Sequence, residues 1–144
     1  MTVIVDASIA MKWLVPEVHE AAAEQLLASP EELVAPDLLL AEVANALWKK
    51  ALRRELTLAE ASAAVARLSA GAIEFLPTLP LLVPALAMAH RLKHPVYDCV
   101  YLALAESEDG MVVTADRRLL AAVRGTSWRR RVRWIEDVGP GAVS

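Results

Sequence analysis

Four carboxylates stand out in this chain because of where they sit: Asp6, Glu42, Asp98 and Asp116. Asp6 ends the run T-V-I-V-D, Glu42 interrupts L-L-L-A-E-V-A-N-A-L, Asp98 lies early in V-Y-D-C-V-Y-L-A-L-A, and Asp116 follows M-V-V-T-A. A carboxylate in apolar surroundings is expensive unless it is paired or binds a cation. Four of them brought together would repel one another, and that repulsion calls for a divalent metal. Hard oxygen ligands select magnesium or manganese over zinc. Such an ion lowers the pKa of a bound water, orients it in line with a phosphodiester and neutralises charge on the phosphoryl oxygens, and a second ion would stabilise the leaving oxygen. This chemistry needs neither a histidine base nor a covalent nucleophile. The acids therefore point to a small metal-dependent nuclease, with Ser8 and Thr114 placed to hydrogen-bond a water or a phosphate.

The elements that must position these acids alternate. Short apolar strands are expected at residues 2–5, 33–35, 73–76, 111–114 and 132–135. Helices are expected at 8–14 (stopped by Pro16), 18–27, 38–54, 57–69 (closed by Gly71), 79–92, 98–107 (broken by Gly110) and 116–123. Thr57-Leu58-Ala59-Glu60 has the form of a capping box. Strands alternating with helices imply a mostly parallel sheet of four to five strands covered on both faces, an α/β fold in three layers. In such sheets ligands bind beyond the carboxyl ends of the strands. Asp6 lies at that end of the first strand and Asp116 just past that end of the fourth, so adjacent strands would open both acids onto one cleft. Glu42 lies a turn inside its helix, where capping does not explain it, and Asn45 follows three residues later on a similar face. Taken singly each acid has an ordinary reading: Asp98 and Asp116 as helix caps, Asp6 as a turn former, Glu42 as a solvated side chain.

The chain has 144 residues, 56% of them hydrophobic, with a mean hydropathy of +0.39 and a net charge of −3. That length fits one domain over residues 1–144, with an arginine-rich segment and the last strand in 124–144. No apolar stretch is long enough to cross a bilayer, and the start M-T-V-I-V-D-A reads as a strand rather than a signal peptide, so a cytoplasmic protein is expected. The apolar excess suits a surface covered by a partner. The single cysteine, Cys99, excludes an internal disulfide and reads as core filler. His90 and His94 are four apart, but no glutamate follows His90 and Pro95 ends their segment. The pair therefore lacks the HExxH pattern of zinc proteases and reads as a polar helix end. Up to Trp48, Lys12 is the only basic residue against eight acids, whereas seven arginines and no acids lie between Arg117 and Arg133. That run is either a solvated loop or a nucleic-acid contact, in which Arg117, Arg118, Arg129 and Arg130 would meet phosphates and Trp128 would stack on a base.

Four motifs occur in order between Val3 and Leu119: V-I-V-D-A-S-I-A-M-K-W-L, A-P-D-L-L-L-A-E-V-A-N-A-L-W-K, H-P-V-Y-D-C-V-Y-L-A-L-A and V-V-T-A-D-R-R-L. In these the chain resembles PIN-domain ribonucleases of the VapC toxin type, from type II toxin–antitoxin pairs. The resemblance implies one acidic pocket in which Asp6 and Asp98 most directly hold Mg2+ or Mn2+, Glu42 and Asp116 complete the set, and Ser8, Asn45 and Thr114 support it. It also implies cleavage of structured RNA, commonly transfer or ribosomal RNA, within single-stranded loops. The implied partners are a second copy of the chain and a small VapB-like antitoxin that wraps the toxin, as a heterotetramer or larger assembly. A haloacid-dehalogenase-like phosphatase would need a second acid two residues after the first, where this chain has Asp6-Ala7-Ser8, and a receiver domain would need an acidic pair. The alternative that stays open is a non-catalytic nucleic-acid or protein-binding module of the same fold.

Overall fold

Strands that are apolar along their whole length must be covered on both faces, and the chain meets this with a sheet inserted between helices. The computed structural model describes residues 1–15 and 19–138. The expected stop at Pro16, the expected helix start at Val18 and the end of the arginine-rich segment (139–144) lie outside the described residues. Strand β1 (Thr2–Val5) leads into α1 (Ala7–Leu14) and α2 (Glu20–Leu27), and β2 (Glu32–Pro36) leads into α3 (Leu38–Leu52) and α4 (Leu58–Ser69). Next come β3 (Glu74–Leu76), a 3-10 turn at Leu79–Leu81, α5 (Leu82–Leu92) and α6 (Val96–Ser107). The chain continues through β4 (Met111–Thr114), α7 (Arg117–Val123), a second 3-10 turn at Ser127–Arg131 and β5 (Val132–Trp134).

The five strands are all parallel in the order β3-β2-β1-β4-β5. The chain runs outward from β1 to β2 and β3, then crosses back to place β4 on the other side of β1. The strand order therefore reverses between β1 and β4, where a doubly wound sheet opens a crevice at its carboxyl edge. Val3, Ile4 and Val5 are completely buried, and α6 is buried on every side from Cys99 to Ala105. A helix apolar all round belongs in a core, and α6 lies against β1, β2 and β4.

The capping box at Thr57 forms in both directions, with Thr57 Oγ1 accepting from the Glu60 amide and Glu60 Oε1 from the Thr57 amide. The helices end at Ser69 and Ser107 as expected, while the start of α6 and the backbone around the two ends differ. Ala70 is the C-cap of α4, so Gly71 follows the cap without adopting a left-handed conformation. Pro95 is the N-cap of α6, which moves the helix start to Val96 and leaves Asp98 inside the first turn rather than capping it. After α6, Asp109 rather than Gly110 takes the left-handed conformation (φ 49°). Gly110 serves close approach instead: a Cβ there would lie 2.8 Å from the Thr2 carbonyl oxygen and 2.5 Å from Ile4 Cδ1. Among the described residues no helix is long and apolar enough to cross a membrane. Because the Thr2 carbonyl belongs to a central strand and cannot yield, Gly110→Ala is expected to cost about 1–3 kcal/mol. Urea denaturation would register this as a lower midpoint with an unchanged slope.

Candidate active site

The turn after β1 carries a carboxylate that is needed locally. Asp6 is the N-cap of α1, and its Oδ1 accepts from the Ile9 amide at 3.2 Å. The same oxygen accepts from Ser8 Oγ at 2.5 Å, and Oδ2 accepts from Thr114 Oγ1. Each hydroxyl also accepts from a backbone amide, Ser8 across the crevice and Thr114 within its own turn. Ser8 Oγ accepts from the Ala115 amide at 3.0 Å, and Thr114 Oγ1 accepts from the Asp116 amide at 2.9 Å. One buried carboxylate thus ties the end of β1 to the end of β4.

Glu42 is brought in by α3, whose start is fixed from outside the helix. Thr78 Oγ1 accepts from the Leu38 amide at 2.9 Å, while Asp37 Oδ1 accepts from the Thr78 amide and hydroxyl. One turn later Glu42 Oε1 accepts from the hydroxyl of Tyr101, a residue of α6 that is only 1% exposed. Asp98 enters from the first turn of α6, where the helix dipole favours an acid, and its Oδ2 pairs with His94 Nε2 at 2.6 Å. That approach is set up by Lys93, whose left-handed conformation (φ 53°) ends α5 and turns the chain into α6. Asp116 is the N-cap of α7, accepting from the Arg118 amide at 2.9 Å and facing the Arg118 guanidinium at 3.4 Å.

The electrostatics show which acids sense one another. Burial pushes the Asp6 carboxyl up to about 6, with the negative charge of Asp98 adding to the rise and the Ser8, Thr114 and Ile9 hydrogen bonds opposing it. Glu42 is also raised, first by burial and then by the charges of Asp98 and Asp6, against the hydrogen bond from Tyr101. Burial, followed by the charge of Glu42, holds the Tyr101 hydroxyl far above its ordinary value, so it remains a donor. Arg118 is raised by its bond to Asp116 and by the charges of Asp116 and Asp98. Asp6, Glu42 and Asp98 therefore share one field, and Asp116 borders it across Arg118.

The four acids are not drawn into a chelating cluster. Among the described residues no three His, Cys, Asp or Glu side chains are grouped closely enough to hold an ion together. Each carboxylate takes a protein donor instead, because like charges at close quarters are stabilised individually by hydrogen bonds. The donor set nevertheless fits a hard divalent cation: it is all oxygen, and two of its members are raised by burial and mutual repulsion, the condition a positive charge would relieve.

The remaining sequence candidates divide. Ser8 and Thr114 hold Asp6. Asn45 is exposed and makes no side-chain hydrogen bond among the described residues. Arg117 lies over the Trp134 ring at 4.3 Å, and Arg118 faces the acids. The expectation for Trp128 is corrected. It is only 9% exposed, its Nε1 donates to Glu106 Oε1 at 2.5 Å and Arg91 covers its ring, so it is a core residue with no face for a base. Arg129 and Arg130 precede β5, at the amino edge of the sheet and the opposite end from the acids; Arg129 Nη1 donates to the Val132 carbonyl. The residues missed from sequence are Tyr101 and His94, although their offsets from Asp98 (three and four positions) were visible. Cys99 is fully buried, and burial followed by the Asp98 charge pushes its thiol up to about 11.

A protonated Asp6 is favoured in the fold relative to the unfolded chain, where its value is near 3.8. The stability tied to that proton is complete below 3.8 and is lost as pH rises through about 6, a change on the order of 3 kcal/mol. Chelator-treated protein should therefore lose urea resistance between pH 4 and 7 relative to Asp6→Asn. Parallel pH profiles for the two proteins would contradict this assignment.

The PIN domain family matches residues 3–125. Ribonuclease VapC3 from Pyrobaculum aerophilum is 40% identical over 127 residues, covering 83% of this chain and 92% of that protein. The crystal structure of PAE2754 from Pyrobaculum aerophilum superposes with a TM-score of 0.69 at 28% identity, over 96% of this chain and 86% of that one. VapBC2 from Rickettsia felis, solved bound to a DNA fragment from their promoter, has a TM-score of 0.62 at 12% identity, over 93% of this chain and 98% of that one, a likeness of fold.

Proposed function

Because the chain belongs to the PIN domain family, we propose that it is a metal-dependent endoribonuclease of the VapC toxin type, cleaving phosphodiester bonds in the single-stranded loops of structured RNA. The observation that carries this reading is the convergence of Asp6, Glu42 and Asp98 from three separate elements into one field that raises Asp6 and Glu42. The ribonuclease that is 40% identical to this chain supports the activity. Asp6, Glu42, Asp98 and Asp116 would hold Mg2+ or Mn2+, which when bound supplies an acidified water and neutralises phosphoryl charge.

The chain's own groups supply the remaining functions. Ser8 and Thr114 fix the orientation of Asp6 through its two oxygens. Tyr101 holds Glu42 and His94 holds Asp98, each through a single oxygen of the carboxylate. Arg118 presents a guanidinium at the boundary of the acids, where it meets a phosphate oxygen of the substrate. The unit is a single PIN domain that extends through the arginine-rich segment and the last strand and acts in the cytoplasm as a homodimer. A small VapB-like antitoxin silences it, in a heterotetramer or a larger assembly. Exposed apolar side chains, Leu79, Val83 and Leu86 in one row and Trp48, Leu52 and Leu58 in another, supply surface for such partners.

The deciding experiment is incubation of total cellular RNA with purified, antitoxin-free protein in Mg2+, Mn2+ or EDTA, beside Asp98→Asn. Discrete products that require metal and form at least about 100-fold more slowly with Asp98→Asn are expected. Intact RNA across a broad set of structured substrates would favour the non-catalytic binding module. Tyr101→Phe removes only the hydroxyl that holds Glu42. It should weaken the apparent Mn2+ affinity about 10–100-fold, with cleavage restored at higher Mn2+; an unchanged Mn2+ titration would remove Tyr101 from the site.

A further inference from the structure

Next to the acids lies a cleft of opposite sign. Ser8, Ala46 and Ala115 line it together with Lys12 of α1, Lys49 and Lys50 of α3, Arg53 just after α3, and Arg117 and Arg118 at the start of α7. Among the described residues Asp116 is its only lining carboxylate, and Glu55 stands beside Lys50 at 3.5 Å and Arg53 at 3.7 Å. A second cleft holds Glu42 and Asp98 with the exposed ring of Tyr97. Arg118 lines both, so the two clefts meet at that side chain.

We infer that the cationic cleft between α1, α3 and α7 is the track for the phosphodiester backbone of a single RNA strand leading to the acids. The inference rests on the nuclease reading above and adds where the substrate lies. A field of carboxylates repels a polyanion, so affinity must come from beside the acids and depends on local potential rather than on the net charge of −3. The cations are spread along a path and are not gathered around a point. On α3 Lys49 lies seven residues beyond Glu42, roughly 10 Å along the axis, and Arg53 a further turn away, while Arg117 lines the cleft from α7 and Lys12, only 8% exposed, adds its charge from α1. That spacing suits successive phosphates of one chain better than a small anion. Lysine and arginine contacts of this kind position a strand without reading bases. An acidic peptide offers similar charge, but the cleft opens at Arg118 directly onto the groups that act on a phosphodiester.

The test is binding of fluorescein-labelled oligouridylate in EDTA, followed by anisotropy across a salt series. Wild type is compared with Lys49→Ala/Arg53→Ala and with Arg129→Ala/Arg130→Ala at the opposite end of the sheet. The cleft pair should bind about 10-fold more weakly and flatten the log–log salt slope by about 1.4, two phosphate contacts on a single strand, while the distal pair matches wild type. Equal losses in both pairs, no loss in the cleft pair, no binding by wild type, or displacement of the oligonucleotide by polyglutamate at equal charge would each overturn the track. Metal-dependent cleavage of total RNA by wild type, run in parallel, separates the two readings: if cleavage persists while binding ignores the cleft pair, the track fails and the nuclease stands.

Discussion

The structure depends on a carboxylate that is almost out of reach of water. Asp6 is 7% exposed, and its oxygens are met by two hydroxyls and one amide. Each of those contacts also does something for the backbone: Ile9 lies in the first turn of α1, Ser8 reaches the amide of Ala115, and Thr114 reaches that of Asp116. The acid therefore closes the crevice that the strand order opens between β1 and β4. Hydrogen bonding of this completeness is what makes a buried charge tolerable at all. It also means that the acid proposed to hold the metal and a main fastening of the fold are one group.

Around that centre the chain assembles charge from elements far apart in sequence. Asp6 comes from the first turn, Glu42 from α3, Asp98 from α6 and Asp116 from the cap of α7. Their repulsion is contained by a donor assigned to each, and the donors come from neighbouring elements or the adjacent turn. Tyr101 spans from α6 to α3, so the gap between the helices carrying Asp98 and Glu42 is bridged by a buried hydroxyl. The result is a site whose negative groups are oriented individually, beside a cleft whose positive groups lie on the same helices.

Much of this was legible in the residues. Period and breaker residues located the five strands within a residue or two, because runs such as Val3–Val5 and Val112–Val113 are buried on both sides and leave little ambiguity. The positions of Asp6 and Asp116 just past strand ends placed them at the crevice; Ser8 and Thr114 read as donors to a water or a phosphate, whereas their hydroxyls are taken up by Asp6. The start of α6 was misplaced because Asp98 looked like a cap, whereas Pro95 already occupies that position. Trp128 misled for a different reason. Composition shows an aromatic among arginines, but only tertiary packing shows that Glu106 and Arg91 of other helices enclose it. Tyr101 escaped because its partner Glu42 is reached only where α3 and α6 meet, which no local pattern encodes, whereas His94 pairs with Asp98 four positions on, an offset the sequence displays.

The lone thiol has a practical meaning beyond its place in the core. Cys99 is fully buried beside Asp98, and burial raises it to about 11, so at neutral pH it presents almost no thiolate to a reagent. It sits on the most enclosed helix of the protein, and an alkylating reagent gains access to it only when that helix comes away from the sheet. The rate at which the chain takes up a thiol label is consequently a clock for opening of its innermost layer, and one already built into the natural sequence.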